Sequence, residues 1–369
     1  MRINVLVFGM TDNPGGMESC VMNYYRNIDN EDVHFDFLCN WENMVYSDEV
    51  KKNGSKIYTI PKKSDNYKEY KKALTQFFKE HSKDYDVLWY NTCTLTNIDY
   101  LVYAKKYGIK KRIIHAHNAG NETSRLRGLL HYLNKIRLVK YATDFWSCSM
   151  AASKYFYTQK TISSPGHHVI NNAIPVSEYA YDEKTRNAIR DEYGVKDKCV
   201  IGHVGRFQDV KNHDFLIDIF NEYLKINTNV VLMLVGKGEK EEAIRQKAAD
   251  MGIADKILFM GARSDVNKLL QAMDVFVLPS KSEGLGIVLV EAQAAGLSCV
   301  TGKDVVPEVV DVTGNVEFVP LNDNPKEWAE AVYEIGSKTL DRQKYVKMVA
   351  DNGYDIKKEV GKMVLYLKE

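Results

Sequence analysis

The chain has 369 residues, and its 50 Lys and Arg against 49 Asp and Glu give a formal net charge of +1. This length is enough for two domains with separate cores, and the near-neutral charge disfavours a general nucleic-acid-binding protein. The six cysteines are scattered without a C-x-x-C pair, which predicts reduced thiols in a cytosolic protein rather than disulfides or structural zinc. No signal peptide is predicted, and no apolar run approaches the roughly 18 residues of a membrane span.

The first half of the chain alternates predicted strands and helices. A buried apolar strand over 3–8 leads into a loop in which Gly15 and Gly16 precede a helix over 17–28, and glycine there lets a ligand approach the backbone closely. This alternation predicts a doubly wound parallel sheet. Further strands are predicted at 33–38, 56–60, 86–90, 112–116 and 144–148, and helices at 67–79, 97–106 and 150–157.

The second half repeats the same pattern after a segment, 169–175, that reads as the exit from the first domain. Two similar halves predict an α/β protein with two Rossmann-like, doubly wound domains facing a cleft. Strands are predicted at 199–204, 230–235, 256–259, 274–278 and 298–300, and helices at 213–224, 239–251, 265–271, 287–295, 328–335 and 354–367.

The segment 274–300 reads as a strand, a glycine-rich turn, a helix and the next strand. The free N–H groups at the start of such a helix bind phosphate. Glu283 lies in the turn and Glu291 lies eight residues later, within about 80° of it if one helix covers both. Carboxylates repel phosphate, so this pair fits sugar hydroxyls on either side of a phosphate. The alternative is an ordinary helix that follows a strand in any α/β protein.

Two cations follow the first strand of the second half. Gly205 makes a tight turn after the strand, and Arg206 and Lys211 come next. A guanidinium binds phosphate oxygens bidentately, and an ammonium adds a point charge. Such cations stabilise the charge that develops on a departing nucleotide diphosphate, in the place a metal would take. The alternative is a solvated surface pair.

Two histidines end a predicted strand of the first half. His115 and His117 point to the same face because strand side chains alternate with a period of two, and Asn118 follows them. Their place at the carboxyl edge of the sheet makes them candidates for a site. A metal site is not predicted, because no third ligand is evident nearby. The alternative is a pair of structural histidines.

The segment 124–140 predicts a basic amphipathic helix. Such a helix can lie on an anionic membrane surface. The alternative is an ordinary helix that packs its stripe into the core. The apolar stripe consists of Leu126, Leu129, Leu130, Leu133, Ile136 and Val139, and the cations around it are Arg125, Arg127, Lys135, Arg137 and Lys140.

Taken in order, these motifs resemble family 4 glycosyltransferases of the GT-B fold, in the branch that builds capsular polysaccharides and exopolysaccharides. The resemblance covers nearly the whole chain. It implies an acceptor domain over 1–175, a nucleotide-sugar domain over 176–350, and a C-terminal helix over 351–369 that crosses back to the first domain. The motifs are G-G-x-E at 15–18, H-x-H-N at 115–118, Gly205 and Arg206 with Lys211, G-x-R-x-D at 261–265, and two glutamates eight apart at 283 and 291.

The resemblance also implies roles for individual residues. Glu283 would hold the donor sugar's hydroxyls and Glu291 the ribose. Gly205, Arg206 and Lys211 would clamp the diphosphate together with the amides of Gly284, Leu285, Gly286 and Ile287, while Ala262 and Arg263 would contact the nucleobase. His117 would be a catalytic-site residue near the sugar's reacting carbon, with His115 in support. Gly15 and Gly16 would approach donor phosphate and acceptor, and Glu18, His115 and Asn118 are acceptor-site candidates. One departure is Gly286, where the branch often has proline.

The implied activity is retaining and metal-independent transfer of a hexosyl or N-acetylhexosaminyl unit from a nucleotide sugar, with UDP as the expected nucleotide. The acceptor would be a polysaccharide or a lipid-linked saccharide, and no cofactor is expected. The chain would be cytoplasmic, with a peripheral membrane contact through 124–140. Asp84 and Asp86 form a D-x-D motif, which binds metal in the other glycosyltransferase fold, but here they are interpreted as structural.

Two other activities are open on the same residues. One is a UDP-sugar 2-epimerase on the same fold, and the other is a non-catalytic nucleotide-sugar-binding partner of another transferase. An NAD-dependent Rossmann enzyme is disfavoured, because no G-x-G-x-x-G follows the first strand.

Overall fold

The computed structural model describes residues 2–120, 124–322, 324–338 and 340–369, and all structural statements refer to these residues. The chain divides into two compact units, Met1–Ile174 with Ile356–Glu369, and Pro175–Asp355. The chain leaves the first unit after Ile174, one residue before the predicted domain end at 175. It returns to the first unit at Ile356, five residues later than the predicted start of the C-terminal helix at 351.

The first unit contains a parallel sheet with seven strands among the described residues, in the order β3-β2-β1-β4-β5-β6-β7. The order reverses between β1 and β4, which is where ligands bind in open α/β sheets. The strands are β1 (Ile3–Phe8), β2 (Val33–Cys39), β3 (Ile57–Thr59), β4 (Val87–Thr92), β5 (Lys111–Ala116), β6 (Asp144–Ser147) and β7 (His167–Val169).

Helices cover both faces of this sheet, which explains why its strands are continuous apolar runs. The last helix of the chain, α16 (Ile356–Lys368), belongs to this unit, and its Met363 and Leu367 are buried in one core with Val21 of α1. The predicted return of the C-terminal helix to the first domain is confirmed. The other helices are α1 (Gly16–Asn27), α2 (Ser47–Lys52), α3 (Tyr67–His81), α4 (Asp99–Lys106), α5 (Arg125–Arg137), α6 (Met150–Phe156) and α7 (Gln159–Ile162).

The second unit contains a parallel sheet with six described strands, in the order β10-β9-β8-β11-β12-β13. Here the order reverses between β8 and β11. The strands are β8 (Cys199–Val204), β9 (Val230–Val235), β10 (Ile257–Gly261), β11 (Val275–Leu278), β12 (Ser298–Gly302) and β13 (Val316–Val319). The helices are α8 (Val176–Tyr179), α9 (Glu183–Glu192), α10 (His213–Tyr223), α11 (Glu241–Asp250), α12 (Val266–Ala272), α13 (Ile287–Ala294), α14 (Pro325–Gly336) and α15 (Tyr345–Val349).

The predicted fold class, α/β with two Rossmann-like parallel sheets, is confirmed. The sequence analysis did not assign β7 and β13, which are short edge strands. β7 carries two adjacent histidines and β13 carries the exposed Glu317, so neither shows the apolar run of a central strand.

All six cysteines are free thiols, and Cys20, Cys39, Cys148 and Cys299 are buried. Within the described part of the chain, no helix combines the length and the apolar character needed to cross a membrane.

Candidate functional site

The loops that follow β8 and β11 are joined at the carboxyl edge of the second sheet. The two strands are neighbours, with Val275 paired to Ile201 and Phe276 to Gly202. Beyond them, the backbone N–H of Lys281 donates to the carbonyl of Val210 over 2.8 Å. Asn212 donates through Nδ2 to the carbonyl of Pro279 over 3.1 Å. These bonds bring the predicted cation loop and the predicted glutamate loop together.

Lys211 and Glu283 form an ion pair at this point. Nζ of Lys211 lies 2.6 Å from Oε1 of Glu283, and only 22% and 12% of the two side chains are exposed. A partly buried pair of this kind is stronger than a surface pair, because solvent screens it less. Each member also holds the other in the site, so a ligand that needs either charge must compete for it.

Arg206 lies on the same loop and is half-buried. Within the described part of the chain, its guanidinium makes no hydrogen bond or ion pair. Its charge is therefore available to a ligand, whereas that of Lys211 is matched by Glu283.

The loop after β9 packs directly on the loop after β8. The N–H of Gly205 donates to the carbonyl of Val235 over 2.9 Å. Gly236 has a φ of +146°, and a Cβ atom on it would lie 2.0 Å from the Gly205 carbonyl oxygen. Only glycine fits both the conformation and the space. Gly205 and Arg206 are therefore held in place by their neighbour.

The helix α13 begins at this edge with Gly286 at its N-cap, where φ is +72° and ψ is +51°. The free N–H groups at the start of a helix can bind an anion, and α13 starts in the loop that carries Glu283 of the Lys211–Glu283 pair. Proline cannot adopt a positive φ, so the departure from the family pattern at Gly286 has a conformational cause: this turn is left-handed.

Glu291 lies in the middle of α13 and is half-buried. Desolvation raises the pKa of its carboxyl to about 7, and a hydrogen bond from Tyr179 partly opposes that rise. Tyr179 ends α8 and was not predicted as a site residue from the sequence. No local signal could have found it, because the contact joins α8 to a helix far along the chain.

The predicted nucleobase residues lie on an exposed loop after β10. Arg263 donates to both carboxylate oxygens of Asp265 over 2.8 Å, and these bonds raise the pKa of the guanidinium. The carbonyl of Gly261 accepts from the N–H of Gly236 over 2.8 Å, which joins this loop to the one after β9. The helix α12 follows this loop, with Asp265 at its N-cap.

The predicted histidines of the first unit are buried at the end of β5. Their ring centroids lie 4.0 Å apart. Nε1 of Trp89 donates to Nδ1 of His115 over 3.3 Å. Nε2 of His117 lies 2.9 Å from Oδ1 of Asn91, and because an amide oxygen only accepts, the proton of His117 is on Nε2. Trp89 and Asn91 belong to β4 and were not singled out from the sequence.

Burial lowers the pKa of His117 to about 3 and that of His115 well below its usual value. Both rings are therefore neutral at neutral pH. Nδ1 of His117 is buried and has no hydrogen-bond partner among the described residues. A direct contact between His117 and a substrate thus requires the ring to turn, or the polar contact with Asn91 to open.

The glycine loop after β1 lies beside Asn91. Gly9 has a φ of +124°, and a Cβ atom there would lie 2.3 Å from the Asn91 carbonyl oxygen. Gly15 is the N-cap of α1 and Gly16 its first residue. Glu18 is buried, accepts from the Thr11 hydroxyl over 2.8 Å, and places Oε2 near Gly15. A carboxylate in the first helical turn is stabilised by the helix dipole, which accounts for this position of Glu18.

A cavity of about 710 Å³ opens at the ends of β2 and β3 in the first unit. Trp41 lies beside it with its ring 3.1 Å from Nζ of Lys62, and Asn40 lies on its wall. The sequence analysis did not identify this cavity. An aromatic ring with amide and charged neighbours is the kind of surface that binds a polar ring-shaped ligand.

The structure thus forms two residue sets, one in each unit. Arg206, Lys211, Glu283 and the start of α13 come together in the second unit, while Ala262 and Arg263 sit on the adjoining loop. Among the described residues, the side chain of Asn118 hydrogen-bonds to its neighbours Ala119 and Gly120.

Within the described residues, no group of three or more His, Cys, Asp or Glu is placed to hold a metal ion. Asp86 accepts from the N–H of Asn4 over 2.9 Å, and Asp84 lies 3.2 Å from His81. These contacts account for both carboxylates of the D-x-D motif.

Known proteins resemble this chain in sequence. Residues 198–337 match the model of the family described as "Glycosyl transferases group 1". The chain is 28% identical to the putative glycosyltransferase EpsF of Bacillus subtilis over 98% of this chain and 95% of that protein. It is 30% identical to the UDP-Gal:alpha-D-GlcNAc-diphosphoundecaprenol alpha-1,3-galactosyltransferase of Escherichia coli, over 36% of this chain and 35% of that enzyme.

Solved structures match the fold. HepE from Anabaena, in complex with UDP and glucose, aligns with a TM-score of 0.79 at 18% identity over the whole of both chains. WaaG, a glycosyltransferase of lipopolysaccharide biosynthesis, aligns with a TM-score of 0.72 at 17% identity over 98% of both chains. The fold is therefore GT-B, and the chain is a glycosyltransferase. More particularly, residues 198–337 form a glycosyltransferase group 1 domain, which contains the whole Arg206–Glu283 cluster.

Proposed function

We propose that this glycosyltransferase moves a hexosyl or N-acetylhexosaminyl unit, with retention of configuration, from a UDP-sugar to a polysaccharide or lipid-linked saccharide. The observation that carries the proposal is the cluster of Arg206, Lys211, Glu283 and the start of α13, which offers two cations, amide donors and a carboxylate at one sheet edge. HepE is described in complex with UDP and glucose, which supports the choice of nucleotide.

The diphosphate would sit between Arg206, Lys211 and the amides of residues 284–287. When it binds, the ammonium of Lys211 turns from Glu283 to phosphate oxygens. The carboxylate of Glu283 is then released to accept hydrogen bonds from sugar hydroxyls. Positive charge placed at the leaving diphosphate lowers the barrier to breaking its bond with the sugar. On this proposal the two cations do what a metal would do, so the enzyme needs no metal and no cofactor.

The ribose would bind at Glu291. Its carboxyl group accepts hydrogen bonds on both oxygens only when it is ionised, and its pKa of about 7 lies close to neutral pH. Tyr179 donates to the same carboxylate and orients it. Ala262 and Arg263 would contact the nucleobase from the adjoining loop.

His117 would act as a neutral catalytic-site residue near the reacting carbon, with His115 in support, and Asn118 would be an acceptor-site residue. A neutral ring accepts or donates a hydrogen bond without adding charge to a reaction whose charge develops on the diphosphate. Asn91 fixes the proton of His117 on Nε2. It would therefore determine whether the ring accepts or donates a hydrogen bond.

The acceptor would bind to the first unit. The cavity beside Trp41 is the candidate subsite, because aromatic faces stack on sugar rings and Asn40 can bond their hydroxyls. Gly15, Gly16 and Glu18 would lie along the same approach. The E. coli relative is named for a diphosphoundecaprenol acceptor, and a lipid-linked acceptor of that kind would place this chain at the cytoplasmic face of the membrane.

The test is nucleotide release from a panel of UDP-, GDP- and ADP-sugars with EDTA present, for wild type and Glu283→Gln. We expect release from one UDP-sugar by wild type and at least 100-fold less by the variant. Release that stops on adding EDTA would overturn the metal-free proposal. Conversion of the donor to an isomer without nucleotide release would instead identify an epimerase. Binding of the donor, seen as a thermal shift, with no turnover on any added saccharide acceptor would identify a binding partner.

A further inference from the structure

The helix α5 exposes its apolar side. Among the described residues, sixteen large apolar side chains are exposed, and seven of them lie between Leu126 and Val139. Their exposed fractions run from 40% at Leu130 to 69% at Leu126. A contiguous apolar patch on a folded protein marks a site of interaction. The seven are Leu126, Leu129, Leu130, Tyr132, Leu133, Ile136 and Val139.

The polar side of α5 holds it to the protein. His131 and Asn134 are the buried residues of the helix. The N–H of Leu95 donates to Nδ1 of His131 over 3.3 Å, and Nδ2 of Asn134 donates to the carbonyl of Leu95 over 2.7 Å. Lys135 adds bonds to the carbonyls of Lys154 and Tyr155 over 2.8 and 2.9 Å. The core-facing alternative for the leucine stripe is therefore excluded.

The orientation is set by specific contacts. At about 100° per residue, the buried pair lies roughly 130° around the helix from the middle of the leucine stripe. Turning the helix to bury the leucines would break the bonds from His131 and Asn134 to Leu95 and leave buried polar groups unpaired, which is costly. The apolar side of α5 therefore faces outward because the polar contacts on its other side fix the orientation of the helix.

The charges on the segment that carries this face have one sign. Residues 124–140 contain no Asp or Glu. Exposed cations lie on the segment itself, and Lys105 of α4 donates to the carbonyl of Lys140 over 2.6 Å. The exposed cations of the segment are Arg125, Arg127, Arg137 and Lys140. A second copy of the chain would bring like charges together, which is unfavourable. An anionic bilayer supplies both the opposite charge and an apolar interior.

We infer that α5 lies flat on an anionic phospholipid bilayer, with its leucine stripe in the interface and its cations on the headgroups. Tyr132 would sit at headgroup depth, where tyrosine is enriched. The biological role of this contact rests on the proposed function, because a lipid-linked acceptor would be reached at this surface. The contact itself can be measured as vesicle binding, which requires no turnover.

The experiment is flotation of the full chain with phosphatidylcholine vesicles, with and without phosphatidylglycerol, at low and high salt. Wild type should bind the anionic vesicles, less at high salt and little to the neutral ones. Leu129→Gln/Leu133→Gln should weaken binding at least tenfold, because two apolar side chains leave the interface. Arg125→Gln/Arg127→Gln should weaken it and reduce its salt dependence.

The matched control is Val309→Gln/Leu365→Gln, which changes two apolar side chains that are 66% and 56% exposed elsewhere. It should bind as wild type does. All these positions are exposed, so the variants should fold, which thermal melting would verify. Equal vesicle binding by wild type and Leu129→Gln/Leu133→Gln overturns the inference. So does light scattering that shows wild type as a dimer and this variant as a monomer, since the face would then join two copies.

The same proteins separate this inference from the proposed function. If wild type transfers sugar to a water-soluble saccharide but binds no vesicles, the membrane inference is wrong and the proposed transferase activity is supported. If it binds vesicles but does not turn over any donor, the membrane inference is supported and the proposed activity is wrong. In the expected case, Leu129→Gln/Leu133→Gln retains turnover with a soluble acceptor.

Discussion

Nζ of Lys211 lies 2.6 Å from Oε1 of Glu283, so the cation proposed for the diphosphate and the carboxylate proposed for the sugar hold each other. On the proposed function, a bound donor would replace this contact with two others, from Lys211 to phosphate and from the sugar hydroxyls to Glu283. Removing one partner therefore has a different effect on nucleotide binding from removing the other.

Lys211→Met should weaken UDP binding and lower kcat/KM at least 100-fold, because a charge on the leaving group is lost. Glu283→Gln should bind UDP as tightly as wild type or tighter, since Lys211 is no longer engaged, yet lose turnover. Calorimetry with UDP and initial rates with the donor check both. The control is Lys225→Met, which breaks the exposed pair of Lys225 and Glu222 and should change neither quantity. Equal weakening of UDP binding by both site variants would contradict the exchange.

Gly236→Ala should abolish donor binding. Its Cβ atom would meet the Gly205 carbonyl oxygen and push the Arg206 loop away. Gly252→Ala is the matched control: it has a φ of +68° and open space around the added atom. The control should cost about 1 kcal/mol of unfolding free energy, or roughly 2–4 °C in Tm, and keep its affinity. Thermal melting and donor titration of both variants would decide, and equal affinities would show that the packing of the two loops is unimportant.

Donor affinity should rise with pH through about 7, because ribose hydroxyls donate to the ionised form of Glu291. We expect the midpoint of this rise in affinity to be visible in titrations with UDP-glucose. Its diphosphate does not change charge in this pH range, so the rise would report the protein carboxyl. Tyr179→Phe should shift the midpoint upward, since the hydrogen bond from Tyr179 lowers the pKa of Glu291. Glu291→Gln should remove the pH dependence. A wild-type affinity that is flat between pH 6 and pH 8 would refute this role (both values lie about one unit from the pKa).

The same carboxyl should affect stability. Its folded pKa is raised, so its contribution to folding is complete below the unfolded value and is lost as pH rises through about 7. Above that pH, Glu291→Gln should be more stable than wild type, and the gain should shrink toward acid pH. Urea unfolding at a series of pH values measures this difference, and a gain independent of pH would exclude titration of Glu291 as its cause.

Asn91→Asp should convert His117 from a neutral to a titrating residue. A carboxylate 2.9 Å from Nε2 favours the protonated ring and raises its pKa from about 3. We expect turnover to fall and to acquire a new pH dependence, while Asn91→Ala loses turnover without one. Histidine NMR resonances followed against pH report the shift directly. Unchanged resonances in the Asp variant would show that Asn91 does not control the ring.

Most of the fold was predictable because the central strands of both units are local apolar runs, and glycine turns follow several of them. The short edge strands β7 and β13 lack such a run and were not predicted. The same local signals located Arg206, Lys211 and Glu283. Their pairing was not predictable, since it depends on β8 lying next to β11, and no spacing along the chain specifies that order. Tyr179 with Glu291 and Asn91 with His117 were missed for the same reason.

The helix at 124–140 shows a different limit of sequence patterns. The spacing of its leucines predicts a stripe correctly, but periodicity does not say which side faces the protein. That depends on His131 and Asn134, whose partner Leu95 lies on another segment.

The chain leaves the first unit at Ile174 and returns at Ile356, and the N–H of Ile356 donates to the carbonyl of Ile174 over 3.0 Å. Topologically, the second unit is an insertion whose two ends are already side by side. A splice of a few residues between these positions would close the first unit without altering its sheet or α16. Conversely, a C-terminal truncation that removes α16 would take away part of the core of the first unit and leave the second unit intact.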